Sequence, residues 1–171
     1  MLGYLNWDFL QIRKFHSQYV ARFIHYISSS IHLFPQVKSG GHISIPKIYP
    51  PLGFLIPLTK FNQIAYDNDK KTLDVGAGVT WSKVYSYLAT LTSDRELGAV
   101  GGDPMVGGSG WLLGGGYSLL TNKYGLGMDN VVEFQVLLPG ARAVCNVSRI
   151  ENPDLFKALK VWSSCHHNLN I

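Results

Sequence analysis

The sequence predicts an α+β domain, and three observations carry that expectation. Short apolar runs separated by glycine turns occupy the chain from Val37 onward, helical periodicity follows Thr80 and Asn152, and glycine is crowded into one stretch. Of 18 glycines in 171 residues, 11 lie between Gly98 and Gly127 and none follows Gly140. Average usage of about 7% would give roughly 12, so the excess is local and marks a single glycine-dense loop region. With 46% hydrophobic and 15% charged residues and two cysteines, a collagen-like repeat, a disordered chain and a disulfide scaffold are all excluded. The length suits about one domain with a real core.

Taken in order, residues 1–36 hold one glycine and three of the six histidines. Ile12, Phe15, Tyr19, Phe23, Ile24 and Ile27 are spaced as an amphipathic helix of about four turns, whose apolar face is expected to meet the core. His16, His25 and His32 are too widely separated for a metal pair and read as structural. Phe54–Leu58 and Thr72–Gly76 read as strands, with Gly76 and Gly78 turning the chain after the second. Thr80 is placed to cap a helix in which Trp81, Val84, Tyr85 and Leu88 share one face. Val131–Leu138 alternates as a strand, and Ala143–Val147 can pair with it across Pro139-Gly140. Asn152-Pro153 is an N-cap and N1 pair opening a helix through Leu155, Phe156 and Leu159.

Charge and cysteine content narrow the partners. The formal net charge of +4 is dispersed and no basic run forms, so nucleic-acid binding is not expected. Cys145 and Cys165 fit either a reduced compartment or one disulfide. No run of 18 apolar residues occurs, so no membrane-spanning helix is expected, and polar residues from Asn6 to Lys14 interrupt any signal-peptide pattern.

Three segments carry chemistry. In Val37-Lys38-Ser39-Gly40-Gly41-His42, the paired glycines let backbone N–H groups converge on a pyrophosphate, or simply make a turn. The second segment, Gly98–Ser118, contains Gly101-Gly102-Asp103, Gly107-Gly108-Ser109-Gly110 and Gly114-Gly115-Gly116. It has no lysine for a P-loop. Trp111 stands where a nucleophile elbow needs glycine, and Leu113 stands where the dinucleotide fingerprint needs it. The apolar Trp111-Leu112-Leu113 between glycine clusters argues for a buried loop approaching a flat ligand, with Trp111 itself in core packing. The third segment, Tyr124-Gly125-Leu126-Gly127-Met128-Asp129-Asn130-Val131-Val132, leads directly into a strand.

These motifs, followed by Asn152-Pro153-Asp154-Leu155-Phe156, resemble the FAD-binding domain of the vanillyl-alcohol-oxidase superfamily in its berberine-bridge-enzyme-like branch, from about Val37 to Lys160. The resemblance implies a PCMH-type α+β fold of two small mixed β-sheets with flanking helices, and FAD as cofactor. Ser39, Gly40 and Gly41 would cradle the FAD pyrophosphate, and His42 matches the histidine joined to the flavin 8α-methyl. Gly102, Gly107, Gly110, Gly114, Gly115 and Gly116 would let the chain pass close to the cofactor, and Tyr124, Gly125 and Val131 would help close the pocket. Asp103 occupies the position where some members place a second attaching cysteine, so attachment through two residues is not expected. The implied activity is hydride transfer from a small-molecule substrate to flavin N5 with reoxidation by dioxygen. The alternative is a non-catalytic fragment binding FAD weakly or not at all.

Two departures are notable. Residues 1–36 lack the family's usual strand, which would leave the phosphate-binding sheet incomplete, and residues 161–171 lack its glycine-rich loop, a frame change or unspliced reading near residue 161 being the preferred account. The reading is therefore an atypical helical segment over 1–36, an FAD-binding domain over 37–160 and a divergent tail over 161–171. The family's substrate domain is expected to be absent, no catalytic base is named, and no metal is expected. Relatives are often secreted, and Asn146-Val147-Ser148 is a glycosylation sequon, but the compartment stays open.

Overall fold

The computed structural model describes residues 8–16, 34–42, 53–91, 97–136 and 145–161. Its strands are β1 (Asp8–His16), β2 (Phe34–Lys38), β3 (Gly53–Pro57), β4 (Ile64–Asp67), β5 (Thr72–Gly76), β6 (Leu97–Ala99), β7 (Glu133–Val136) and β8 (Cys145–Ser148). Its helices are α1 (Trp81–Leu91), α2 (Gly108–Leu113), α3 (Thr121–Tyr124) and α4 (Pro153–Val161), with 3₁₀ turns at Leu58–Lys60 and Gly127–Asn130.

Among the described residues, one mixed sheet has the order β4-β5-β1-β6, with β4 antiparallel to β5 and β1 parallel to both β5 and β6. Strands β2 and β3 form a separate parallel pair, and β7 and β8 an antiparallel one. The β7–β8 register sets Phe134 opposite Val147 and Val136 opposite Cys145. The two segments pair as expected from sequence, which did not specify their register; the Pro139-Gly140 turn lies outside the described residues. A backbone bond from Val132 N to Ile12 O (2.9 Å) ties this pair to β1. The α+β character with small sheets is as the sequence implies.

The N-terminal segment is a correction. Residues 8–16, expected in a helix, form the strand inserted between β5 and β6, and residues 34–36 begin β2. Ladder bonds on both edges of β1 and full burial of Ile12 beside Leu73 outweigh the helical spacing of Ile12 and Phe15. The other positions of that spacing, Tyr19 to Ile27, lie outside the described residues. A strand also does lead into Ser39: β2 pairs with β3 from Phe34↔Gly53 to Lys38↔Pro57.

Helix boundaries follow their sequence signals with two changes of detail. Thr80 accepts the N–H groups of Lys83 and Val84 through its carbonyl, while its hydroxyl meets Ser82 Oγ (2.9 Å). Asn152 precedes α4 with φ of 52° and uses Nδ2 to bond Asn146 O (2.8 Å), so it anchors the helix to β8. The sequon residue Asn146 lies within β8, its amide oxygen accepting from Gln135 Nε2 (3.2 Å).

Ile12, Leu73, Val75, Val79, Trp81, Val84, Leu112 and Val147 are fully buried in one cluster. The helix face expected from sequence supplies Trp81, Val84 and Leu88, with Tyr85 half-buried at its edge. Trp81 stacks on Tyr85 (centroids 6.1 Å apart) and meets Trp111 edge-on (5.0 Å, 79°). Glycines make room for this cluster. A Cβ on Gly102 would lie 2.8 Å from Trp111 Nε1, and one on Gly116 would lie 2.9 Å from Trp111 Cζ3. At Gly127 it would overlap the same ring. Trp111 Nε1 donates to Tyr117 O (3.1 Å), which fixes the ring in this slot.

Gly127→Ala is expected to destabilise the fold by about 1–3 kcal/mol through overpacking, and by less in a Trp111→Leu background, as urea melts of the four chains in the cycle will show. Tyr85 donates to Gly102 O (2.6 Å), and burial, then the nearby Asp103 carboxylate, raises its phenol above the ordinary 10.0. The folded chain therefore holds this proton longer than the unfolded chain does. Its contribution is intact below pH 10.0 and lost as pH climbs through the higher folded value. Tyr85→Phe should lower stability at pH 7 by about 1 kcal/mol and make the alkaline decline shallower than in the parent.

Candidate functional site

Strand β2 ends at Lys38 and delivers Ser39-Gly40-Gly41-His42 against the glycine-dense region. The anchor is one carbonyl: Ala77 O accepts both Ser39 Oγ (2.7 Å) and Ser109 Oγ (2.9 Å). Gly108 N donates to Val79 O (2.9 Å) and Trp81 N to Val106 O (3.1 Å), so the α2 entry is bolted to the same β5–α1 turn. The backbones of Gly40 and Gly107 consequently touch. A Cβ on Gly40 would sit 2.7 Å from Gly107 Cα, and one on Gly107 would strike Ser39. Glycine is required at both positions by this approach alone. Gly41 adds a φ of 79°, which disfavours any L side chain. The N–H groups of Gly40 and Gly41 have no acceptor among the described residues.

A second wall joins the end of the glycine run to the Tyr124–Val131 segment. Gly127 N donates to Gly116 O (2.7 Å) and Met128 N to Gly115 O (3.2 Å). The segment is braced internally: Asp129 Oδ2 accepts from Leu126 N (2.9 Å), and Asn130 Nδ2 donates to Tyr124 O (3.0 Å) and Leu126 O (2.9 Å). Gly115, Gly116 and Gly125 have φ of 96°, 76° and 78°. Beside it, Lys160 lies over the Phe156 ring, and burial lowers its pKa against the opposing pull of Asp129.

Most glycines of the run are explained by the protein's own packing, but Gly110 is not. It is exposed, and no described residue lies within 4 Å of the Cβ it lacks; Gly114 meets only backbone at ordinary contact, 3.4 Å. N–H groups without a described acceptor at Gly40 and Gly41, and an exposed glycine at Gly110, are features that a diphosphate-bearing flat cofactor can use. The residues present fit such a group.

The structure unites the predicted residues Ser39, Gly40, Gly41 and Gly107 at the Ala77 clamp, and Gly115 and Gly116 with the Tyr124 segment. His42 follows the clamp and is exposed. Gly102 and Gly116 serve the Trp111 slot whatever else they touch. Val131 is 3% exposed, sits in the core cluster and bridges Ile12, which fixes the end of this segment against β1. Asp103 is exposed and turns its carboxylate onto Met105 N (3.0 Å). Cys145 lies in β8 with its thiol on Val136 O (3.4 Å). Sequence reasoning missed Ser109 and Ala77. A serine between glycines reads as loop filler, and a carbonyl acceptor leaves no signal in residue identity.

Comparison with known proteins agrees with this geometry. The FAD-dependent monooxygenase yanF of Aspergillus niger is 41% identical over 127 residues, which are 72% of this chain and 21% of that protein. The chain thus spans about a fifth of that relative's length. The 6-hydroxy-D-nicotine oxidase of Arthrobacter nicotinovorans superposes with a TM-score of 0.73 at 30% identity, over 88% of this chain and 33% of the oxidase. A variant of BBE-like 1 from Physcomitrella patens gives 0.68 at 26% identity, over 82% of this chain and 30% of that one. The FAD binding domain family matches residues 28–144, well over half of the sequence and inclusive of the clamp, the glycine run and its second wall. The chain belongs to that family.

Proposed function

We propose that the chain is the cofactor-binding part of an FAD-linked oxidoreductase of oxidase type acting on a small molecule. Bound FAD supplies the two-electron acceptor, taking a substrate hydride at N5 and passing the electrons to dioxygen. The chain's own work is to hold and orient it. Ser39, Gly40 and Gly41 present backbone N–H groups to the diphosphate. Gly107 keeps the two loops in contact, and Gly110, Gly114 and Gly115 keep the surface bare. Tyr124 and Gly125 close the second wall. His42 is the residue for covalent attachment, and Asp103, a carboxylate where a second attachment would need a thiol, restricts attachment to His42.

The exposed Gly110 carries this reading, because no described residue lies within 4 Å of the side chain it lacks. The names of the relatives support it: they are FAD-dependent monooxygenases and flavin oxidases. Peroxide production with candidate substrates tests the oxidase activity.

Gly110→Ala should leave stability unchanged or raise it by about 0.5–1 kcal/mol while weakening FAD binding at least about tenfold, as flavin fluorescence titration will show. Unchanged FAD affinity would remove the observation on which the proposal stands. Colour retained by the parent chain after acid precipitation, and lost in His42→Ala, is the result expected for attachment at His42.

A further inference from the structure

We infer that Lys38 is the cation that neutralises the cofactor diphosphate beside Gly41, an inference that rests on the FAD reading above. The last residue of β2 is half-buried, and its side chain folds back over the loop it precedes. Its Nζ lies 3.1 Å, and its Cδ 3.5 Å, from the point a Gly41 Cβ would occupy. Any side chain at Gly41 would displace the lysine, so this glycine serves two ends: its φ of 79° and the path of Lys38.

Lys38 also has no acidic partner within ion-pair distance among the described residues, where the pair of Lys70 with Asp67 (3.5 Å) is the surface counterexample. A flexible lysine on an open surface would ordinarily extend into water, because ordering it loses rotamer entropy. Here it lies instead against Gly41. Its ammonium and the N–H groups of Gly40 and Gly41 are neighbouring donors with no acceptor among the described residues. Such donors suit a dianionic group. Backbone N–H groups give the cradle its shape, and a point charge at its rim adds the long-range attraction that amides lack. The role is binding and placement of the cofactor.

The test uses riboflavin, which lacks the diphosphate, beside FAD. Reversible binding of each is measured by flavin fluorescence in a His42→Ala parent and in its Lys38→Met and Lys38→Arg derivatives, with thermal melts confirming that all three fold. Lys38→Met should weaken FAD about tenfold or more, leave riboflavin unchanged, and reduce the loss of FAD affinity between low and high salt. Lys38→Arg should retain most of the affinity. Equal FAD binding by parent and Lys38→Met, or equal weakening of FAD and riboflavin, overturns the role of Lys38 and leaves the FAD reading standing. A folded parent that binds neither flavin overturns the FAD reading, and this inference with it.

Discussion

The arrangement of the site depends on one acceptor, the carbonyl of Ala77. It follows β5 in the turn toward α1, and it receives hydroxyls from two segments distant in sequence, Ser39 after β2 and Ser109 at the start of α2. Each bond alone contributes on the order of 1 kcal/mol. Their importance is geometric, because together they place the Gly40 and Gly107 backbones in contact and so determine where the bare N–H groups of the loop lie. The turn can serve as an anchor because its flanks are rigid: Val75, Val79 and Trp81 are fully buried on either side of it.

The glycine run divides into two groups with different physical causes. Gly101, Gly102, Gly116 and Gly127 make room for Trp81, Tyr85 and Trp111, which form an aromatic wedge between the core and the loops. Gly40 and Gly107 admit each other. Gly110 has no described residue within 4 Å of the side chain it lacks. A glycine-dense sequence therefore need not mean a wholly ligand-facing surface. Here much of it shapes a slot for one tryptophan, and the cofactor-facing part is correspondingly smaller than the motif suggests.

Legibility in the sequence followed how local the determining forces were. The β5 strand, the α1 face and the pairing of β7 with β8 rest on patterns that each segment carries within itself, and these were readable. The Asp8–His16 strand was not, because what makes it a strand is the pair of edges, β5 and β6, offered by residues dozens of positions away. The order of the glycine motifs identified the family, but the clamp that assembles them runs through a carbonyl and an inconspicuous serine.

Preorganisation connects these observations to binding. The Tyr124–Val131 segment is held to Gly115 and Gly116 by two backbone bonds and braced by Asp129 and Asn130, and the Ser39 loop is held by the Ala77 clamp. Both walls are thus ordered by protein contacts before any ligand arrives, so binding need not supply the entropy of arranging them. Among the described residues, what the walls leave unmet is hydrogen-bonding capacity at Gly40 and Gly41, a lysine ammonium without an acid, and open backbone at Gly110. Each of these is satisfied by the same kind of molecule, one with an anionic centre next to a planar body. The features that the fold leaves incomplete therefore specify the ligand more sharply than the features that it completes.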